Sequence, residues 1–270
     1  MMFKNISLGT YYPGNSLLHR LQARTKLLLL VWISIFLVIA NNRFWHFTPF
    51  IVLVSLAFAS VAAAGVTPRQ IWRRIWWLVL LALLGAVPTL FTTDSDTVKA
   101  LYAIGPFVIT DLGAWLLVSF STVFVILYTF SLLLTMTTTP IALIEGMTIL
   151  LNPLRWLRLP VDDFALMTLI ALRFIPTLIE EVEQLLKAQI SRGADYAHGS
   201  IRERVQSFIA LFVPLLQAVL RRAADLATAL EARGYQGDGH KTLLHEKSFG
   251  VIDYGVLVGV AVVTIGALIL

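Results

Sequence analysis

Windows free of Asp, Glu, Lys and Arg run over residues 27–42, 44–68, 75–93 and 112–144, and a last apolar stretch covers 254–270. A bilayer core about 30 Å thick takes roughly 20 apolar residues of helix to cross. The five windows therefore predict five transmembrane helices, the first short and the fourth ending near Met136. Residues 137–247 differ: they are far richer in charge, yet keep apolar residues at helical spacing. The pattern divides the chain into an N-terminal segment with four spans (1–136), a cytoplasmic helical region (137–247) and a C-terminal span (248–270). The class is an all-α membrane protein.

The middle region predicts three helices, two of them long. Thr139-Pro140 sets a capping hydroxyl before a proline at the first helical position, and a greasy helix then runs to Asn152-Pro153, suited to the membrane surface. The break at "LRLPVDD" precedes a helix of about 30 residues, roughly 45 Å, ending at Gly193. A third starts near Ser200 and ends at Gly234. Each long helix carries one proline, Pro176 or Pro214, and each is expected to be too charged in its final turns to span a bilayer.

Composition agrees with a membrane chain: 58% hydrophobic, 14% charged, against about 25% charged in soluble domains. Mean hydropathy is +0.80. No cysteine is present, which removes disulfides and thiolate metal sites. The polar, basic start "MMFKNISLGTYYPGNSLLHRLQARTK" predicts no signal peptide. With the N-terminus in the cytoplasm and the C-terminus outside, all but Arg43 and Lys99 of the 21 Lys and Arg fall on the inside. That bias accounts for the net charge of +5 without a nucleic-acid partner.

Both long helices end alike, in Ser191-Arg192-Gly193 and Ala232-Arg233-Gly234. Gly just past a helix end and Arg in the last turn are ordinary capping chemistry. Two such ends facing one compartment also suit docking, because a guanidinium beside small residues can take a carboxylate or backbone carbonyls. The proline-to-arginine spacings differ by three residues, so internal duplication is a weak match.

Other motifs carry less. "GYQGDGHKT" approaches a phosphate loop, but His240 precedes Lys241 and no strand leads in, so a solvated loop is expected. His245-Glu246 lacks the second histidine of a zinc pair. Glu180, Glu181 and Glu183 fan around one turn as a solvated side. The spans hold no intramembrane charge to mark a substrate path and no paired catalytic groups.

The chain resembles, over nearly its whole length, the transmembrane T component of energy-coupling-factor (ECF) transporters, ABC-type importers of vitamins and metal ions. The resemblance lies in "YYPGNSLLHRLQARTKLLLL", with Gly14, Ser16, His19, Arg20, Arg24 and Lys26, and in "TTTP" and "FALMTLIALRFIPTLIEE". Its specific part is the pair "AQISRGAD" and "ALEARGY", which match two x-Arg-x signatures, Ser191 standing where the family often has alanine. It implies a non-catalytic scaffold in the cell membrane between two cytoplasmic ATPases and a substrate-binding S component. Ser191, Arg192 and Gly193 would dock one ATPase, and Ala232, Arg233 and Gly234 the other. ATP and Mg would sit on those partners, with no cofactor or metal on this chain. Leu166, Met167, Leu178, Leu185, Phe208, Leu211, Leu216 and Leu220 exceed what two crossing helices bury on each other, so some are expected to form the S-component platform; packing on the region's first helix is the other use open to them. The alternatives are a self-sufficient polytopic permease or a conventional ABC permease subunit, which would couple through one short loop.

Overall fold

A computed structural model describes residues 12, 14, 16–41, 47–65, 68–91, 100–104, 107–157, 159–193, 200–235 and 249–269. They fall into two compact units, one of residues 9–150 with 247–270, the other of residues 151–246.

The first unit holds α1 (Leu17–Arg20), α2 (Ala23–Asn41), α3 (Thr48–Ala64), α4 (Pro68–Ala86), α5 (Asp111–Thr137), α6 (Pro140–Leu150) and α9 (Val251–Ile269). A 3-10 turn, Val87–Phe91, follows α4 where Pro88 cannot continue the ladder. A short antiparallel hairpin, β1 (Ala100–Ile104) with β2 (Phe107–Thr110), precedes α5 within the expected outer loop. Thr110 caps α5, its hydroxyl accepting from Gly113 N at 3.1 Å.

α5 is the spine of this unit. Trp115 and Ile126 pack with Ile33, Phe36 and Leu37 of α2 and with Phe50 and Leu53 of α3. Further along, Leu132, Leu133 and Met136 close on Val61 of α3 and on Ile71 and Ile75 of α4. Large apolar side chains such as Val38, Ile51, Phe58 and Val262 face outward. A lipid-facing surface has that character, since hydrocarbon does not drive such side chains inward.

Four expected spans recur as helices long and apolar enough to cross a membrane: α2, residues 71–89, α5 and α9. The second, α3, has 17 residues, about 26 Å and near the lower limit. Residues 204–232 also meet the length and hydropathy requirement. These residues belong to the second of the two long helices, expected to be too charged in its final turns for a bilayer: residues 205–220 are free of charge, and Arg221, Arg222, Asp225 and Glu231 follow.

One end of the first unit gathers the basic residues. Lys26 at the start of α2 donates to the Thr137 carbonyl (2.9 Å), Thr137 Oγ1 (3.1 Å) and Thr138 Oγ1 (3.0 Å) at the end of α5. Buried Asp253, in the first turn of α9, accepts from Gln22 N at 3.2 Å, Thr25 Oγ1 at 2.9 Å and Gly250 N at 3.0 Å. Arg24 lies 3.7 Å over the Phe249 ring. His19 bonds Ser16 (2.6 Å) and the Tyr12 carbonyl (2.9 Å), and Tyr12 N bonds the Met136 carbonyl at 2.9 Å. A Cβ on Gly65, just past α3, would reach Ser16 at 3.9 Å. The starts of α2, α4 and α9 and the ends of α3 and α5 thus share one level, with Arg69, Arg73, Arg74, Trp72, Trp76 and Trp77 exposed on the first turns of α4. Arg and Trp together at helix ends mark a membrane–water interface.

α6 is not left free at the membrane surface. Thr139 Oγ1 accepts from Ala142 N at 3.3 Å, as its position before the proline requires. The helix then packs on α2 so closely that a Cβ on Gly146 would stand 2.8 Å from Arg24 N and 3.0 Å from Ala23 Cβ. Gly146→Ala is expected to cost about 1–3 kcal/mol by overpacking. Gly85→Ala, at a site with nothing within 4 Å, will be neutral or slightly stabilising. Thermal unfolding of the two variants in detergent tests the contrast.

The second unit is a helical hairpin. A 3-10 turn (Asn152–Leu157) leads to α7 (Val161–Ser191), and α8 (Ile201–Ala232) follows. Arg155 pairs with Asp162 across the entry to α7. Asp162 and Asp163 in the first turn suit the helix dipole. Gln189 donates to the Ala210 carbonyl (3.2 Å), Glu181 pairs with Arg222 (3.3 Å), and the Tyr235 hydroxyl donates to Asp163 (3.3 Å). As residue numbers fall on α7 they rise on α8, so the two helices are antiparallel.

Candidate functional site: the two helix ends

The end of α8 is a complete Schellman cap. Gly234 has φ +74°, Gly234 N bonds the Glu231 carbonyl at 2.9 Å, and Tyr235 N reaches back to the Leu230 carbonyl at 3.0 Å. The end of α7 repeats the inner half: Gly193 has φ +88° and its N–H bonds the Ile190 carbonyl at 2.9 Å. Arg192 and Arg233 occupy the same cap position, the last residue before the left-handed glycine. Ser191 spends its hydroxyl on the Lys187 carbonyl at 3.0 Å, which leaves it, like Ala232, a small residue beside the arginine.

All six residues at these ends are exposed. Neither guanidinium has a partner among the described residues. A Cβ at Gly193 or Gly234 would meet nothing within 4 Å, so only the backbone demands glycine there. Val at either position is expected to cost about 1–2 kcal/mol through the left-handed conformation. Faster amide exchange in the last turn, about tenfold for each ~1.4 kcal/mol, with little change in global unfolding, is the signature to look for.

Because α7 and α8 are antiparallel, the two caps stand at opposite ends of the hairpin. The 31 residues of α7 span about 46 Å, which sets the scale of their separation. The hairpin therefore presents two like cationic tips, well apart. No cluster of three or more potential metal-ligating side chains occurs among the described residues.

The apolar residues expected to form a platform separate into two sets. Met167, Phe208, Leu216 and Leu220 are exposed; Leu166, Leu178, Leu185 and Leu211 are half-buried. Phe212, 61% exposed, was legible at the same spacing but not singled out. Phe208, Phe212, Leu216 and Leu220 recur every fourth residue and form one inclined ridge on α8. Of the motifs set aside, His240, Lys241, His245 and Glu246 lie outside the described residues, as do Arg43 and Lys99. Glu180 is exposed, Glu181 pairs with Arg222, and Glu183 lies 4.0 Å from Lys187, as a solvated helix side would have it.

Comparison with known proteins gives one answer. Residues 14–243 match the family model CbiQ, described as cobalt transport protein. The chain is 42% identical over 266 residues to the energy-coupling factor transporter transmembrane protein EcfT of Heliobacterium modesticaldum, covering 96% of this chain and 95% of that one. It is 38% identical over 266 residues to EcfT of Bacillus subtilis, with 97% and 96% covered. To EcfT of Acidaminococcus fermentans it is 38% identical over 252 residues, with 93% and 91% covered.

Proposed function

The chain belongs to the EcfT family of energy-coupling factor transporter transmembrane proteins, and from that membership we propose that it couples two cytoplasmic ATPases to a membrane S component that binds a vitamin or metal ion. It is a multi-pass membrane subunit of a transporter. One observation carries the finer reading: two like, exposed Arg-Gly caps, without a partner for either guanidinium among the described residues, at opposite ends of one helical hairpin. A partner groove offering a carboxylate or several carbonyls would take each guanidinium, with Ser191 and Gly193, or Ala232 and Gly234, letting it approach. Two tips about 46 Å apart along the helices are too far apart for one compact groove, and suit two ATPase subunits.

In this scheme ATP and Mg are held by the partner subunits, hydrolysis occurs there, and this chain holds no cofactor. The basic, Trp-rich end of the first unit faces the cytoplasm. The N-terminus is then inside, and α9, which starts at that end beside α2, carries the C-terminus outside. The ridge of Phe208, Phe212, Leu216 and Leu220 supplies an apolar surface for the S component, alongside surrounding membrane lipid. Movement of the ATPases on the two tips would be passed along α7 and α8, where Pro176 and Pro214 each remove one backbone hydrogen bond and ease bending.

The test is co-purification from native membranes with wild type, Arg192→Glu, Arg233→Glu and the double variant. Progressive loss of ATPase subunits supports the scheme. An unchanged partner set, or no ATPase with wild type, returns both ends to plain helix caps and favours a self-sufficient permease.

A further inference from the structure

We propose that a slot within the first unit, between α1, α2, α3, α5 and α9, holds one acyl chain of an anionic glycerophospholipid, with Lys26 as the countercharge to its phosphate. The inference rests on the membrane character of the chain, not on the coupling role proposed above. The slot is a cavity of about 290 Å³. Lys26 and Thr137, bonded to each other, mark one end; Ile33 and Phe130, seven residues further along the antiparallel helices α2 and α5, mark the other. Seven residues of helix make the slot about 10 Å long. Its width comes from Ala59, Ser60 and Ala63, small residues on the α3 wall.

The polar groups in this lining are already bonded. Ser60 Oγ donates to the Ala57 carbonyl at 2.8 Å, Thr137 Oγ1 donates to the Leu133 carbonyl at 2.8 Å, and Lys26 has its three oxygen acceptors. Water needs two to four polar partners to be held in such a space; the donors of Lys26, Ser60 and Thr137 are all spent, which leaves it only lone pairs of the two hydroxyl oxygens. Between membrane-spanning helices, lipid chains supply the apolar occupant. The charge selects the lipid: the buried Lys26 ammonium is held by neutral oxygens only, and among the described residues no carboxylate pairs with it. Asp253, the nearby buried acid, is engaged by Gln22, Thr25 and Gly250.

Native mass spectrometry of the full chain, released from bilayers of equal phosphatidylglycerol and phosphatidylcholine, tests this. Wild type is expected to retain one lipid, mostly phosphatidylglycerol. Ala63→Phe, or Ser60→Leu as a milder filling, will lose it, while Val258→Phe on the outward side of α9 will not. Lys26→Met will keep a lipid but lose about fivefold in preference for phosphatidylglycerol, the effect of one Lys near an anionic surface; Lys26→Arg will keep the preference. No retained lipid in wild type overturns the proposal. So does equal retention in the filled and outward variants, or no change in preference on losing the Lys26 charge. Loss of a co-purifying membrane subunit from the filled variants, with lipid unchanged, assigns the slot to a protein contact and also overturns it.

Discussion

Reversing both cap arginines, Arg192→Glu with Arg233→Glu, is expected to reduce uptake by cells by at least about a hundredfold while the protein remains folded in the membrane. Each guanidinium is exposed and has no partner among the described residues, so its loss is expected to cost the fold little. In the assembled transporter each would make charge-assisted hydrogen bonds worth about 1.5–3 kcal/mol. The introduced carboxylate adds repulsion to that loss. A single reversal leaves one tip engaged and is expected to show a smaller defect. Equal defects for either single variant and the double would mean that both tips must be held for any transport. Uptake of labelled substrate, with membrane abundance and thermal unfolding followed in parallel, separates these outcomes from simple misfolding.

Asp253→Ala is expected to give the largest loss of stability, about 3–5 kcal/mol. The carboxylate is only 4% exposed and satisfies two backbone N–H groups and the Thr25 hydroxyl, joining the start of α9 to the start of α2. Removing it orphans three donors, each costing about 1–3 kcal/mol when buried, less what relaxation recovers. Asp253→Asn keeps the shape but replaces one acceptor by a donor, so an intermediate loss is expected. The chain has no cysteine, which allows a clean second readout. Ala267→Cys places a single thiol at a buried position of α9. It will resist a membrane-permeant maleimide until Asp253 is replaced and the helix leaves its place.

The spans and caps were legible because their causes are local. A run without charge is apolar wherever it lies, and an Arg-Gly end states its cap in two residues. The helix starts at Thr139-Pro140 and after "LRLP" follow from the same short-range chemistry. What sequence spacing could not supply is which ends meet. Lys26 reads as one more inside cation, yet it joins α2 to α5 across 111 residues. Asp253 reads as an interfacial acid, and two of its donors, Gln22 N and the Thr25 hydroxyl, lie more than 200 residues away. Gly146 carries no signal in the sequence; its purpose is visible only against the Arg24 backbone. The β1–β2 hairpin was missed because its residues, "ALYAI" and "FVIT", are too short to separate from a loop. The candidate site was legible as a pair of equal endings. Their placement at opposite ends of an antiparallel hairpin was not.

That placement gives the second unit an approximate twofold axis, perpendicular to the hairpin, which exchanges one tip for the other. The symmetry holds for arginine, glycine and the small residue beside them, and fails one turn away. Beside Arg192, Ser191 turns its hydroxyl back to the Lys187 carbonyl; beside Arg233 stand Glu231 and Tyr235, the tyrosine tied to Asp163. Even two identical partner surfaces would therefore meet unequal surroundings, and the hairpin would impose a left and a right on whatever binds it.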